Sequence, residues 1–130
     1  MTTKTSQTYD LQIKRTINDD LLDSIIITAA EGGINYWAEV RPVAPNPKRS
    51  DYPRLMLHGT SETEEDFTPM PLDREAALRG LRRVIETEPC RRDIYAHIMQ
   101  AIDDNDGCHI DAEAADVIVQ IALFNELIYS

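Results

Sequence analysis

The sequence has 130 residues, 42% hydrophobic and 28% charged, with 13 Lys and Arg against 23 Asp and Glu for a formal charge of −10. A chain of this length buries roughly two thirds of its unfolded surface, so one soluble domain over residues 1–130 is expected, and seven prolines and five glycines exclude a fibrous or low-complexity chain. The acid excess argues against direct nucleic-acid binding, which needs clustered Lys and Arg on phosphates, and suits either a basic protein partner or plain solubility.

Tyr9, Leu11 and Ile13 alternate with Asp10, Gln12 and Lys14, the period-two pattern of a half-buried strand. Asn18 is placed to cap a helix whose first turn carries Asp19 and Asp20, where carboxylates favour the positive end of the dipole. Leu21, Leu22, Ile25, Ile26 and Ala29 fall on one face of it, and Gly32-Gly33 predicts a left-handed stop. Ile34 to Val43 is rich in β-formers and reads as a second strand. Prolines 42, 45, 47 and 53 mark 44–53 as a loop, and Leu55 to Leu57 suggests a short third strand. Thr60 to Pro71 is acidic and proline-flanked, a mobile loop or a ragged edge strand.

Asp73 then caps a helix with Ala77, Leu78, Leu81, Val84 and Ile85 inside, and Pro89 sits near the start of the next, with Ile94, Tyr95, Ile98, Ala101 and Ile102 as its stripe. Asp103 to Gly107 ends that helix. Asp111 caps a last one running through Ala115, Ile118, Ile121, Ala122 and Leu127. The order β-α-β-β-α-α-α implies an α+β fold, a small antiparallel sheet of about three strands packed on one face by helices.

Compartment signals are plain. Met1 to Gln7 is polar, without the apolar core of a signal peptide. The apolar runs at 25–27 and 117–124 are far shorter than the roughly 18 residues of a membrane span. Cys90 and Cys108 make no disulfide framework, so a reduced, cytoplasmic protein is expected, free of membrane association.

No motif carries a catalytic or cofactor chemistry. Cys90, His97, Cys108 and His109 lack the paired spacing of a zinc site. Asp104, Asp106, Gly107 and Glu113 nearly fit a calcium loop, but with Gly107 sixth the opening ligand position is Ile102. The alternative is a polar turn ending one helix and an Asp capping the next. Gly32-Gly33 lacks the further glycine of a dinucleotide site, and no Walker lysine or nucleophile elbow is present. The expectation is a protein with no catalytic residues, cofactor or metal.

Charge is unevenly placed. Residues 60–73 hold five acids and no base, residues 74–100 hold six arginines and four acids, and residues 101–130 hold seven acids and no Lys or Arg. Asp103, Asp104, Asp106, Asp111, Glu113 and Asp116 are candidates for one acidic surface, and Glu62, Glu64, Glu65 and Asp66 for a second row. The Gly-Gly turn delivers Tyr36 and Trp37 onto opposite faces of the second strand, and an exposed aromatic anchor for a partner or ligand is one reading. The other is one ring in the core and one under a helix.

Glu31-Gly32-Gly33-Ile34-Asn35-Tyr36-Trp37, with Asp116 to Phe124 (DVIVQIALF) and Tyr129, resembles a group of small proteins encoded by bacteriophages and other mobile elements. The likeness spans most of the chain and rests on those two blocks. It implies a viral or mobile-element origin and brings no catalytic residue. Asn125 stands where the group is expected to have glycine after the Phe, which puts the path of the final residues in question.

Three functions follow as expectations. The first is an inhibitor of a host nucleic-acid-handling defence enzyme, of anti-CRISPR or anti-restriction type, whose acidic surface occupies a basic channel of a host protein or complex in the host cytoplasm. The second is a module for a nucleotide signal, with Tyr36 or Trp37 stacking and Arg79, Arg82 and Arg83 on phosphates, unless those arginines pair with Glu75 and Glu86. The third is a phage structural or assembly protein acting by self-association; a homodimer is compatible with any of them.

Overall fold

In the computed structural model, which describes residues 5–43, 54–65 and 67–130, the first regular element begins at Asn18. Its side chain accepts the Leu21 N–H, and helix α1 (Asp19–Thr28) buries Leu21, Leu22, Ile25 and Ile26. Tyr9, Leu11 and Ile13 form no strand: the segment before α1 is unpaired and all three side chains are exposed. Alternation sets which way side chains point, while a strand also needs a neighbour to bond, and no described strand lies beside this one.

The glycines do not stop α1 in a left-handed turn, since no described glycine has positive φ. The helix instead widens into a π turn (Ala29–Gly33), closed by Ile34 N–H on the Ala29 carbonyl at 3.2 Å. Gly33 is needed for proximity, because a Cβ there would sit 2.8 Å from the Ala112 carbonyl oxygen. Residues 34–37 are a turn rather than strand, with the Ile34 carbonyl accepting the Trp37 and Ala38 N–H groups.

Strand β1 (Ala38–Pro42) pairs antiparallel with β2 (Leu55–Gly59), which pairs with β3 (Met70–Leu72). Val40 lies opposite Leu57 and Leu55 opposite Leu72, so one face joins the core while Glu39, Arg41 and Pro71 are exposed on the other. The loop expected over 44–53 lies outside the described residues. Of the stretch 60–71, residues 61–65 form a turn and Met70-Pro71 belong to an edge strand, as the edge-strand expectation has it for its end.

Asp73 caps α2 (Arg74–Thr87) by accepting the Ala76 N–H at 2.9 Å. Helix α3 (Arg92–Asp104) buries Ile94, Ile98, Ala101 and Ile102 and ends at left-handed Asn105. After a 3₁₀ turn (Gly107–His109), Asp111 caps α4 (Ala112–Phe124) at the Ala114 N–H, 2.8 Å. Six consecutive residues of α4, Val117 to Ala122, are buried, so it is the central helix. Gly80 lets α2 lie against it, since a Cβ there would be 2.4 Å from the Ile118 carbonyl oxygen. Leu127, expected in this helix, lies beyond it and is exposed. Helix α4 stops at Asn125, whose φ of 61° is the conformation a glycine would supply at that place.

The fold is α+β, with a three-stranded antiparallel sheet and four helices among the described residues. The order is α-β-β-β-α-α-α: the strand expected before α1 is absent and the third strand is Met70–Leu72.

Candidate functional site

The two sequence blocks that stand out, 31–37 and 116–124, meet in space. Asp116 and Gln120 are four residues apart on α4 and so share a face. The Asp116 carboxylate accepts three hydrogen bonds: from the Tyr36 hydroxyl at 2.5 Å, the Trp37 indole N–H at 2.8 Å and the Gln120 amide at 2.9 Å. Tyr36 and Trp37 therefore converge on one carboxylate instead of pointing from opposite strand faces.

Gln120, 1% exposed, continues the network. Its Oε1 accepts the Ile128 and Tyr129 N–H groups at 2.8 and 2.9 Å, and its Nε2 donates to the Tyr129 carbonyl at 3.1 Å. That strap lays the Tyr129 ring flat on Trp37, with centroids 5.1 Å apart and planes 9° apart. Phe67 and Phe124 close on Trp37 edge-on. Thr63 Oγ1 donates to the Trp37 carbonyl at 2.6 Å, fixing the backbone from the 61–65 turn. Trp37 is 0% exposed and cannot be an accessible anchor; Tyr36 is 47% exposed. Gln120 and Tyr129 are the residues missed from sequence. Both stand in the segments that carry the resemblance without a role assigned there, and the i, i+4 spacing of Asp116 and Gln120 inside an apolar run signals Gln120.

Beside the network lies an open cleft of about 620 Å³ whose lining includes Gly33, Tyr36, Asp116, Val117 and Tyr129. Burial, then the hydrogen bond to and charge of Asp116, push the Tyr36 phenol far above its ordinary value, so it stays protonated and donates. The thiols are no better activated. Burial raises Cys90, and the hydrogen bond and charge of Asp106 raise Cys108, which is exposed rather than buried. Among the described residues no group of three or more His, Cys, Asp or Glu side chains is arranged to hold a metal. The residues of the near-fit calcium loop serve the turn instead: Asp106 accepts the Cys108 N–H at 2.9 Å, and Asp104 bonds Gln100 and His109.

The acids of the last thirty residues divide. Asp103, Asp104 and Asp106 cluster where α3 ends, and Asp111 and Glu113 where α4 begins, all exposed. Asp103 pairs with Arg15 at 2.7 Å and Glu113 with Arg91 at 3.2 Å, so two of these charges are partly answered within the chain. Asp116 is half-buried under Tyr36 and Trp37 and does not belong to that surface. Glu62, Glu64 and Glu65 are exposed in the 61–65 turn, and Asp66 lies outside the described residues. No hydrogen bond or ion pair among the described residues joins this row to the α3–α4 corner.

Of the α2 arginines expected on phosphates, Arg79 and Arg83 are turned toward α4 while Arg82 is exposed. Arg79 Nε donates to the Ala122 carbonyl at 3.1 Å, and Arg83 donates to the Ile121 and Ala122 carbonyls at 3.2 and 2.9 Å, closing the end of α4 instead of pairing with Glu75 and Glu86. The small cleft of about 350 Å³ beside them includes neither Tyr36 nor Trp37.

No helix among the described residues is long and apolar enough to cross a membrane. No protein-family model, curated protein or solved structure matches the chain.

Proposed function

We propose that this is a non-catalytic binding protein of phage or mobile-element origin. Its acidic surface engages a basic protein partner, read as a host nucleic-acid-handling defence enzyme that it inhibits. The observation that carries the reading is the corner between α3 and α4, where Asp103, Asp104, Asp106, Asp111 and Glu113 are exposed and each is held by a hydrogen bond or ion pair. Carboxylates fixed in this way lose little conformational freedom on docking, and their field accelerates encounter with a basic channel. The net charge of −10 acts in the same direction.

The test is capture from a host lysate by tagged protein, followed by assay of the captured enzyme's nucleic-acid cleavage. A stoichiometric nuclease or surveillance complex that is inhibited, and released as salt rises, supports the proposal. Asp103→Asn, Asp104→Asn, Asp106→Asn, Asp111→Asn and Glu113→Gln together remove five charges. An amide side chain at positions 106 and 111 still caps, so folding is kept. Inhibition should weaken at least tenfold and lose salt dependence; undiminished inhibition by this variant, or no captured nucleic-acid enzyme, overturns it.

A further inference from the structure

We infer that two copies of this chain exchange the segment 9–13, each adding it as a fourth strand to the β1 edge of the other, which no described strand covers. Three large side chains in that segment, Tyr9, Leu11 and Ile13, are 81%, 88% and 68% exposed while alternating with polar residues, a strand pattern with no strand to pair with. Among the described residues the sheet offers one usable edge. Val43 N–H bonds the Arg54 carbonyl, and bonded pairs alternate along an antiparallel ladder, so Glu39 and Arg41 turn their backbone groups to β2. Ala38, Val40 and Pro42 therefore turn theirs outward. The Ala38 N–H is already on Ile34 and Pro42 has none, which leaves the Val40 N–H and three carbonyls. By the same alternation the outer edge of β3 presents only the Pro71 carbonyl and no donor.

An antiparallel segment with Leu11 opposite Val40 matches this inventory. The N–H groups of Tyr9, Leu11 and Ile13 meet the carbonyls of Pro42, Val40 and Ala38, and the Val40 N–H meets the Leu11 carbonyl. In that register the apolar side chains extend the core face of the sheet, and Asp10 falls opposite Arg41. An open cleft of about 450 Å³ beside Ala38, Glu39 and Val40 leaves room along the edge. The described structure does not pair the segment with its own β1. Arg15 is tied to Asp103 and the Asn18 N–H to Asn105, at the end of α3, so the Ile13 backbone stays within about 7 Å of the Arg15 backbone. Ala38 follows the opposite end of α1, a helix about 15 Å long. Reciprocal exchange about a two-fold axis satisfies both copies.

The inference is independent of the inhibitor reading and is tested on the full chain by sedimentation velocity and cross-linking. The chain should sediment as a dimer. Leu11→Pro should keep the helical circular dichroism signal and yield monomer, and Asp10→Arg should weaken the dimer about tenfold, with Arg41→Asp restoring it. With Cys90 and Cys108 changed to Ser, a Gln12→Cys chain mixed with a Glu39→Cys chain should form a covalent heterodimer on oxidation, since a non-bonded pair holds its Cα atoms about 4.5 Å apart. A monomeric wild-type chain, a dimer that survives Leu11→Pro, or no cross-link overturns the inference.

Discussion

Replacing Asp116 with alanine isolates the interaction that organises the site. Three donors lose their acceptor at once, and their costs differ with burial. Tyr36 is 47% exposed, so its hydroxyl can turn to water at lower cost than a fully buried donor. The Gln120 amide keeps the Tyr129 carbonyl. The Trp37 indole N–H is the expensive one, because the residue is fully buried and the carboxylate is its acceptor. An orphaned buried donor costs about 1–3 kcal/mol, and losing a charge-assisted bond adds to it, so Asp116→Ala should destabilise by about 2–4 kcal/mol. Asp116→Asn keeps one carbonyl oxygen for the indole and should cost about 1 kcal/mol. Urea unfolding followed by the fluorescence of Trp37, the sole tryptophan, measures both. The reasoning is refuted if Asp116→Ala lies within about 0.5 kcal/mol of wild type, or if the two variants are equally unstable.

Two further outcomes are expected. Because the Tyr36 phenol is raised from 10.0 in the fold, its stabilisation is fully present below pH 10 and is lost as the pH climbs toward the folded value. Tyr36→Phe should thus be less stable than wild type at neutral pH, and the gap should narrow above pH 10; denaturant melts that show a constant gap across that range contradict it. At Asn125, with φ 61°, alanine should cost about 1 kcal/mol while glycine is neutral or slightly stabilising, and thermal melts that rank alanine above glycine would remove the left-handed cap from the account.

Asp116 also shows why a functional reading by charge alone is incomplete. In sequence it is one of seven acids without a nearby base. In the fold its carboxylate faces two aromatic donors from a turn eighty residues away. The remaining acids of the α3–α4 corner keep the exposure that a docking surface requires, yet Asp106 and Asp111 also hold backbone N–H groups. Charge and structure are carried by the same side chains there, which is why amide substitution rather than truncation separates them.

The sequence by itself determined what is local. Asn18, Asp73 and Asp111 cap the helices they were expected to cap, because a side chain reaching an N–H three residues on depends on the adjoining backbone. Leu21, Leu22, Ile25 and Ile26 and, on α3, Ile94, Ile98, Ala101 and Ile102 are buried as their spacing requires, with Tyr95 partly so. What needs a partner far along the chain was decided by the tertiary structure. Tyr9, Leu11 and Ile13 have a strand's alternation, but a ladder exists only where another strand presents its backbone. Gly33 looks like a left-handed stop until α4 is seen passing within a Cβ's reach. Tyr36 and Trp37 were assigned to opposite faces on strand geometry, and only the turn before β1 lets both meet Asp116. Caps and stripes are set within a turn or two of chain, whereas the site is a set of distant donors and acceptors that burial obliges to find one another.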